Sequence, residues 1–126
     1  MKSLDYDIIK NLLDPIIDRG INYRLYNSKS KFRVLLIPND KYTSINAKMY
    51  IKVGSIFEND SNRGIAHVME HMIFKGTHNY PNIDIKLDSI GAQYNASTSY
   101  EKTIYYINAL SIYDDLIVDI ILDILF

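Results

Sequence analysis

The stretch INAKMYIKVG, residues 45–54, decides the fold class. Ile45, Ala47, Met49, Ile51 and Val53 recur at period two, with Lys48, Tyr50 and Lys52 opposite them. Successive side chains of a strand point to opposite faces, so this pattern predicts a strand with one buried face and one solvated face. Strands of that kind belong to antiparallel sheets, whereas parallel strands, covered on both faces, read as continuous apolar runs.

The neighbouring segments extend the pattern. Upstream, INYRLYN (21–27) and FRVLLIP (32–38) are β-branched or aromatic, and the polar NSKSK (27–31) between them predicts a hairpin. Downstream, SIFENDSNRG (55–64) reads as a loop, and GIAHVMEHMIFKG (64–76) as a helix that stops at Gly76. A polar segment with Pro81 leads to NIDIKLDSIG (82–91), a short helix closed by Gly91. AQYNASTS (92–99) and KTIYYINAL (102–110) read as another pair of strands. SIYDDLIVDIILDILF (111–126) is an amphipathic helix, with Ser111 as its expected N-cap and Asp114 and Asp115 in its first turn. Apolar pairs at helical spacing from Leu4 to Ile17, interrupted at Pro15, predict an N-terminal helical extension over residues 1–20. Hairpins dominate over strand–helix–strand alternation. The fold class is therefore α+β, a mainly antiparallel sheet with packed helices.

At 126 residues, 48% hydrophobic and 23% charged, the chain has the balance of one globular domain or part of one. A net charge of −1 gives no electrostatic case for nucleic acid or an anionic membrane surface. The absence of cysteine excludes disulfides, thiolate metal sites and cysteine nucleophiles. The first 20 residues lack an apolar signal core and carry four aspartates, which disfavours secretory and mitochondrial leaders. The most apolar run, LIVDIILDILF, is too short to span a bilayer and is broken by Asp119 and Asp123. A soluble protein, cytoplasmic by default, is the expectation. The last helix has no stop signal after Leu125 and Phe126, and reads as cut rather than finished.

The chemistry concentrates in HVMEH, residues 67–71. On a helix, His67 and His71 are four apart and share a face. Two imidazoles at that spacing can bind one Zn²⁺ at about 2.0–2.1 Å each. Glu70, near the same face, can reach a water at the open metal position and take its proton during attack on a peptide carbonyl. The order is HExxH written in reverse.

The flanks add to this. RGIAHVMEHMIFKGT follows a Gly-Ser-x-x-Glu turn at Gly54, Ser55 and Glu58, and leaves the helix through Phe74 to Thr77. Asn-Ala-x-Thr-Ser at Asn95 to Ser99 then precedes a Tyr-rich strand. This ordered set, from about Asn22 to the chain end, resembles the M16 metallopeptidases, the pitrilysin and insulinase family of inverzincins. The resemblance implies that residues 21–126 are the N-terminal part of an M16 peptidase-like domain. It implies His67 and His71 as zinc ligands, Glu70 as general base, and Asn95 and Ala96 as the strand that pairs with an extended peptide or unfolded segment. It also implies a second M16-like domain or subunit that closes the cleft, and a third ligand, a Glu on a later helix, that falls past Phe126.

The other candidates read differently. Glu58 is expected as a solvated loop residue and His78 as a solvated histidine. Glu101, Asp119 and Asp123 are not promoted to ligands. Tyr100, Tyr105 and Tyr106, and likewise Tyr42, Tyr50 and Tyr113, read as strand and packing residues. The expected function is zinc-dependent endopeptidase chemistry, with little activity from these 126 residues alone. The competing expectation is a non-catalytic binding or assembly subunit, or a remnant lacking the third ligand.

Overall fold

The computed structural model describes residues 22–27 and 32–125. The predicted helix over 4–18 and the boundary at residue 20 lie outside them. The chain divides into two compact units, Met1–Lys41 and Tyr42–Phe126.

The first unit contains the expected hairpin. Strands β1 (Arg24–Asn27) and β2 (Arg33–Leu36) pair antiparallel, with Arg24 opposite Leu36 and Asn27 opposite Arg33.

The second unit is a three-stranded antiparallel sheet with helices packed on it. β3 (Ser44–Ile51), β4 (Gln93–Thr98) and β5 (Thr103–Leu110) run in the order β3-β5-β4. The registers place Ile51 opposite Thr103 and Thr98 opposite Thr103, so both ladders end together at Thr103. The alternation of residues 45–51 holds: Ile45, Ala47, Met49 and Ile51 face the core. Val53 does not. The strand ends at Ile51, and the Val53 side chain is exposed while its carbonyl accepts a bond from Thr103 Oγ1 at 2.9 Å.

Helix α1 (Ile65–Ile73) follows a 3₁₀ turn at Ser55–Phe57. It stops before Gly76 because Lys75 N–H bonds back to Met72 O, which tightens the last turn, and Phe74 turns inward. The Phe74 ring is buried 4.9 Å from Tyr94 and 6.0 Å from Tyr105. Helix α2 (Ile83–Ser89) ends as expected at Gly91, with φ of 67°. There Ala92 N–H bonds Leu87 O and Gly91 N–H bonds Asp88 O, the paired bonds of a Schellman stop.

Helix α3 covers Asp114–Leu125. Ser111 is not its cap: residues Ser111–Tyr113 form a separate 3₁₀ turn. The Ser111 N–H is held by Thr43 O at 2.9 Å, beyond the end of the β3–β5 ladder. The core lies between the sheet and the helices. Ile83 and Leu87 of α2, Ile107 of β5, and Ile117 and Ile120 of α3 are fully buried in it. Among the described residues no helix is long and apolar enough to cross a membrane.

Candidate metal centre

Helix α1 brings His67, Glu70 and His71 together, as the spacing predicts. His67 Nε2 and His71 Nε2 stand 3.0 Å apart, with ring centroids 4.5 Å apart and planes near perpendicular. Two ligands of a tetrahedral zinc stand about 3.3–3.4 Å apart when each lies about 2.0–2.1 Å from the metal. The pair therefore fits a shared cation with only a small opening. The ligand atoms of His67, Glu70 and His71 all lie within 4.8 Å of one another. Among the described residues no other His, Asp or Glu joins this group.

The two kinds of side chain meet different surroundings. Both histidines are exposed, whereas Glu70 is 9% exposed. Its Oε2 lies 3.6 Å from His67 Nδ1 and accepts a 2.5 Å hydrogen bond from Thr98 Oγ1. Nearby Tyr105 has its phenol pKa raised by burial and, secondarily, by the Glu70 charge. Thr98 thus belongs to the site, although nothing in the sequence motif marks its hydroxyl as a partner of Glu70.

Three polar anchors place the helix. Glu58 is not solvated loop: its Oε2 accepts from Gly64 N–H at 2.6 Å and its Oε1 from Ala66 N–H at 2.9 Å. These backbone bonds, Gly64 first and then Ala66, hold the Glu58 carboxyl below its ordinary pKa. The carboxylate satisfies two N–H groups that a helix start leaves without partners and complements the positive end of the helix dipole. At the other end, Lys75 pairs with Asp84 at 2.8 Å, a bond that raises the lysine pKa and lowers that of the aspartate. Beyond it, Thr77 Oγ1 and Asn79 Nδ2 donate to Asp123, whose pKa they lower. Asp123 is therefore engaged with the helix exit.

Asn95 and Ala96 stand on β4, at the edge of the sheet. Asn95 is exposed and its Oδ1 accepts from Ala96 N–H at 2.8 Å; Ala96 packs against the core. The structure shows no bond from Asn95 to the histidines. His78 is exposed, as expected. Tyr105 and Tyr113 pack as predicted, but Tyr42, Tyr50 and Tyr100 are exposed. Tyr50 lies on the outer sheet face with Lys48, and Tyr100 lies in the turn between β4 and β5.

A sequence model of peptidase family M16 (insulinase) matches residues 33–126. An uncharacterized zinc protease of Rickettsia bellii is 39% identical over 92 residues, which are 71% of this chain and 22% of that protein. Mitochondrial-processing peptidase subunit beta of Homo sapiens is 46% identical over 65 residues, 50% of this chain and 13% of that one. The crystal structure of pitrilysin superposes with a TM-score of 0.76 at 26% identity, over 83% of this chain and 12% of pitrilysin. A protease from Helicobacter pylori gives a TM-score of 0.73 at 28% identity, over 82% of this chain and 25% of that one. The chain spans about a quarter or less of the length of these relatives. The family match covers most of the described residues, the zinc protease relative spans the His-Glu-His helix, and two solved proteases share the fold: the chain belongs to peptidase family M16, the insulinase family.

Proposed function

We propose that the chain carries the two-histidine, one-glutamate part of a zinc peptidase site that hydrolyses peptide bonds of extended peptides or unfolded segments. The geometry of α1 carries this reading: two imidazole nitrogens 3.0 Å apart beside a nearly buried carboxylate. His67 and His71 would hold Zn²⁺ through Nε2. Bound there, Zn²⁺ supplies Lewis acidity that lowers the pKa of a water to about 7 and polarises a carbonyl oxygen. Glu70 is the general base: it accepts a proton from the attacking water and returns one to the leaving amine nitrogen. Asn95 and Ala96 offer the sheet edge on which an extended substrate adds as a further strand. Such a strand competes with the Asn95 side chain for the Ala96 N–H. A second M16-like domain or subunit closes the cleft; the relative named as a subunit of a processing peptidase supports this.

The competing reading is a non-catalytic binding or assembly subunit; a catalytic zinc takes three protein ligands, and the described residues offer Glu70 beside the two histidines.

Metal analysis with peptide hydrolysis tests the proposal. Zinc is expected to bind wild type and Glu70→Gln, weakly in these 126 residues alone, and to be lost from His67→Ala and His71→Ala. Unchanged zinc in both histidine variants refutes the metal site. In a longer protein that includes a third ligand, chelator-sensitive cleavage of an unstructured peptide that Glu70→Gln abolishes supports the enzyme. Zinc bound there without cleavage favours the binding subunit.

A further inference from the structure

We infer that Thr98 is a positioning residue for Glu70, an inference that rests on the reading of Glu70 as general base. An ionised carboxylate can only accept, so the Thr98 hydroxyl must donate. The 2.5 Å separation is that of a charge-assisted O–H···O⁻ bond. It commits Oε2, the oxygen that also faces His67 Nδ1 at 3.6 Å. That leaves Oε1 as the oxygen that takes the proton. The two carboxylate oxygens thus have different tasks, and Thr98 assigns them.

The anchor is itself rigid. Thr98 is the last residue of β4 and stands opposite Thr103 in the ladder. Thr103 is 4% exposed, and its hydroxyl donates to Val53 O at 2.9 Å, with Thr98 Oγ1 3.5 Å away. The threonine that grips Glu70 is therefore seated where all three strands converge. A carboxylate on a helix surface ordinarily samples several rotamers, each ordered side chain losing entropy when fixed. Here that ordering is built into the sheet before any substrate arrives, as positioning of a catalytic group requires.

NMR of the ¹³C-labelled chain reads Glu70 directly, without metal or turnover. The Thr98 hydroxyl proton is expected to exchange slowly. Thr98→Val, nearly isosteric, is expected to remove that signal and shift the Glu70 carboxyl resonance. Thr98→Ser is expected to keep both, and Glu70→Gln to move the hydroxyl signal. A Glu70 carboxyl resonance unmoved by Thr98→Val overturns the inference. In zinc-loaded protein that turns over peptide, Thr98→Val is expected to lower kcat about ten- to a hundredfold with KM unchanged, and Thr98→Ser to restore it. A loss carried by KM, or an equal loss in Thr98→Ser, overturns the inference. Zinc content on the same samples keeps the two claims apart. A longer wild-type protein that includes a third ligand and takes up no zinc refutes the peptidase reading, while a Glu70 resonance that answers to Thr98 still supports the anchor.

Discussion

Replacing Gly54 by alanine places a methyl carbon where three backbone atoms already stand. A Cβ there would lie 2.3 Å from Ser99 O, 2.6 Å from Tyr100 O and 2.7 Å from Lys102 N. Carbon contacts are comfortable at about 3.5–4.0 Å, so the β4–β5 turn would have to retreat by roughly 1 Å. Backbone atoms cannot rotate out of the way as a side chain can. Two hydrogen bonds cross this approach, Ser55 N–H to Ser99 O at 3.3 Å and Ile56 N–H to Tyr100 O at 2.9 Å. Each is worth about 0.5–1.5 kcal/mol net, and overpacking adds about 1–3 kcal/mol, so Gly54→Ala is expected to destabilise by about 2–6 kcal/mol. The backbone contributes none of this, because φ is −154°, extended chain open to any residue. Gly64→Ala is the matched control: φ is +88°, nothing lies within 4 Å of its Cβ, and left-handed strain costs about 1–2 kcal/mol. Urea unfolding followed by circular dichroism measures both. With a slope of about 1–3 kcal/mol per molar, a loss of about 2 kcal/mol or more lowers the Gly54→Ala midpoint by at least about 0.7 M, further than Gly64→Ala. A Gly54→Ala midpoint within error of wild type, or no lower than that of Gly64→Ala, refutes the steric argument.

Two further predictions concern carboxylates around α1. Glu58 has its folded pKa held below the ordinary 4.5, so the stability it contributes is present above that pH and is lost as pH falls through the lower folded value. Thermal unfolding of wild type is expected to weaken with acid below about pH 4.5, and Glu58→Gln to show a shallower dependence there; parallel curves would remove Glu58 from the account. Glu70→Ala removes the acceptor from a partly buried Thr98 hydroxyl and is expected to destabilise by about 1–3 kcal/mol, whereas Glu70→Gln retains an acceptor oxygen and stays within about 1 kcal/mol. Equal unfolding midpoints for the two variants would contradict the Thr98 bond.

The readable part of the fold is the part with a period. Ile45 to Ile51 alternate because one sheet face is buried, and Gly91 ends α2 because it takes the left-handed conformation a helix stop uses. The histidines came with the helix, since four residues per step places them on one face whatever surrounds them. What stayed hidden depends on chain folding back. Glu58 reaches Gly64 and Ala66 across a six- and eight-residue loop, outside the positions where caps are ordinarily sought. Thr98 meets Glu70 across 28 residues, a separation no local spacing rule covers. Ser111 has the chemistry of a cap, but its N–H is bound to Thr43 O, and the helix begins three residues later. Tyr50 is a strand residue as expected, but its ring does not pack: its alternation with Met49 and Ile51 places it on the solvated face, against the packing that an aromatic ring suggests.

A nine-residue helix is marginal on its own and is normally held by an apolar face. Helix α1 is not held that way. Of its nine residues only Ala66 and Glu70 are buried, while Ile65, Val68, Met69 and Met72 are exposed. Beyond Ala66, which is buried, and Ile73, which packs on the core, its position in the Tyr42–Phe126 unit comes from its ends and from Glu70 in its middle. Glu58 grips the first turn, Thr98 grips Glu70, and Phe74 wedges against Tyr94 and Tyr105 at the exit, where Lys75 pairs with Asp84. Hydrogen bonds are directional, whereas apolar contact is not, so anchors of this kind fix rotation about the helix axis as well as depth. Rotation is the coordinate that matters here, since one residue's turn of about 100° would carry His67, Glu70 and His71 together away from Thr98. The arrangement also makes Glu70 part of its own support: the same carboxylate proposed as base is the buried group by which the sheet holds the helix.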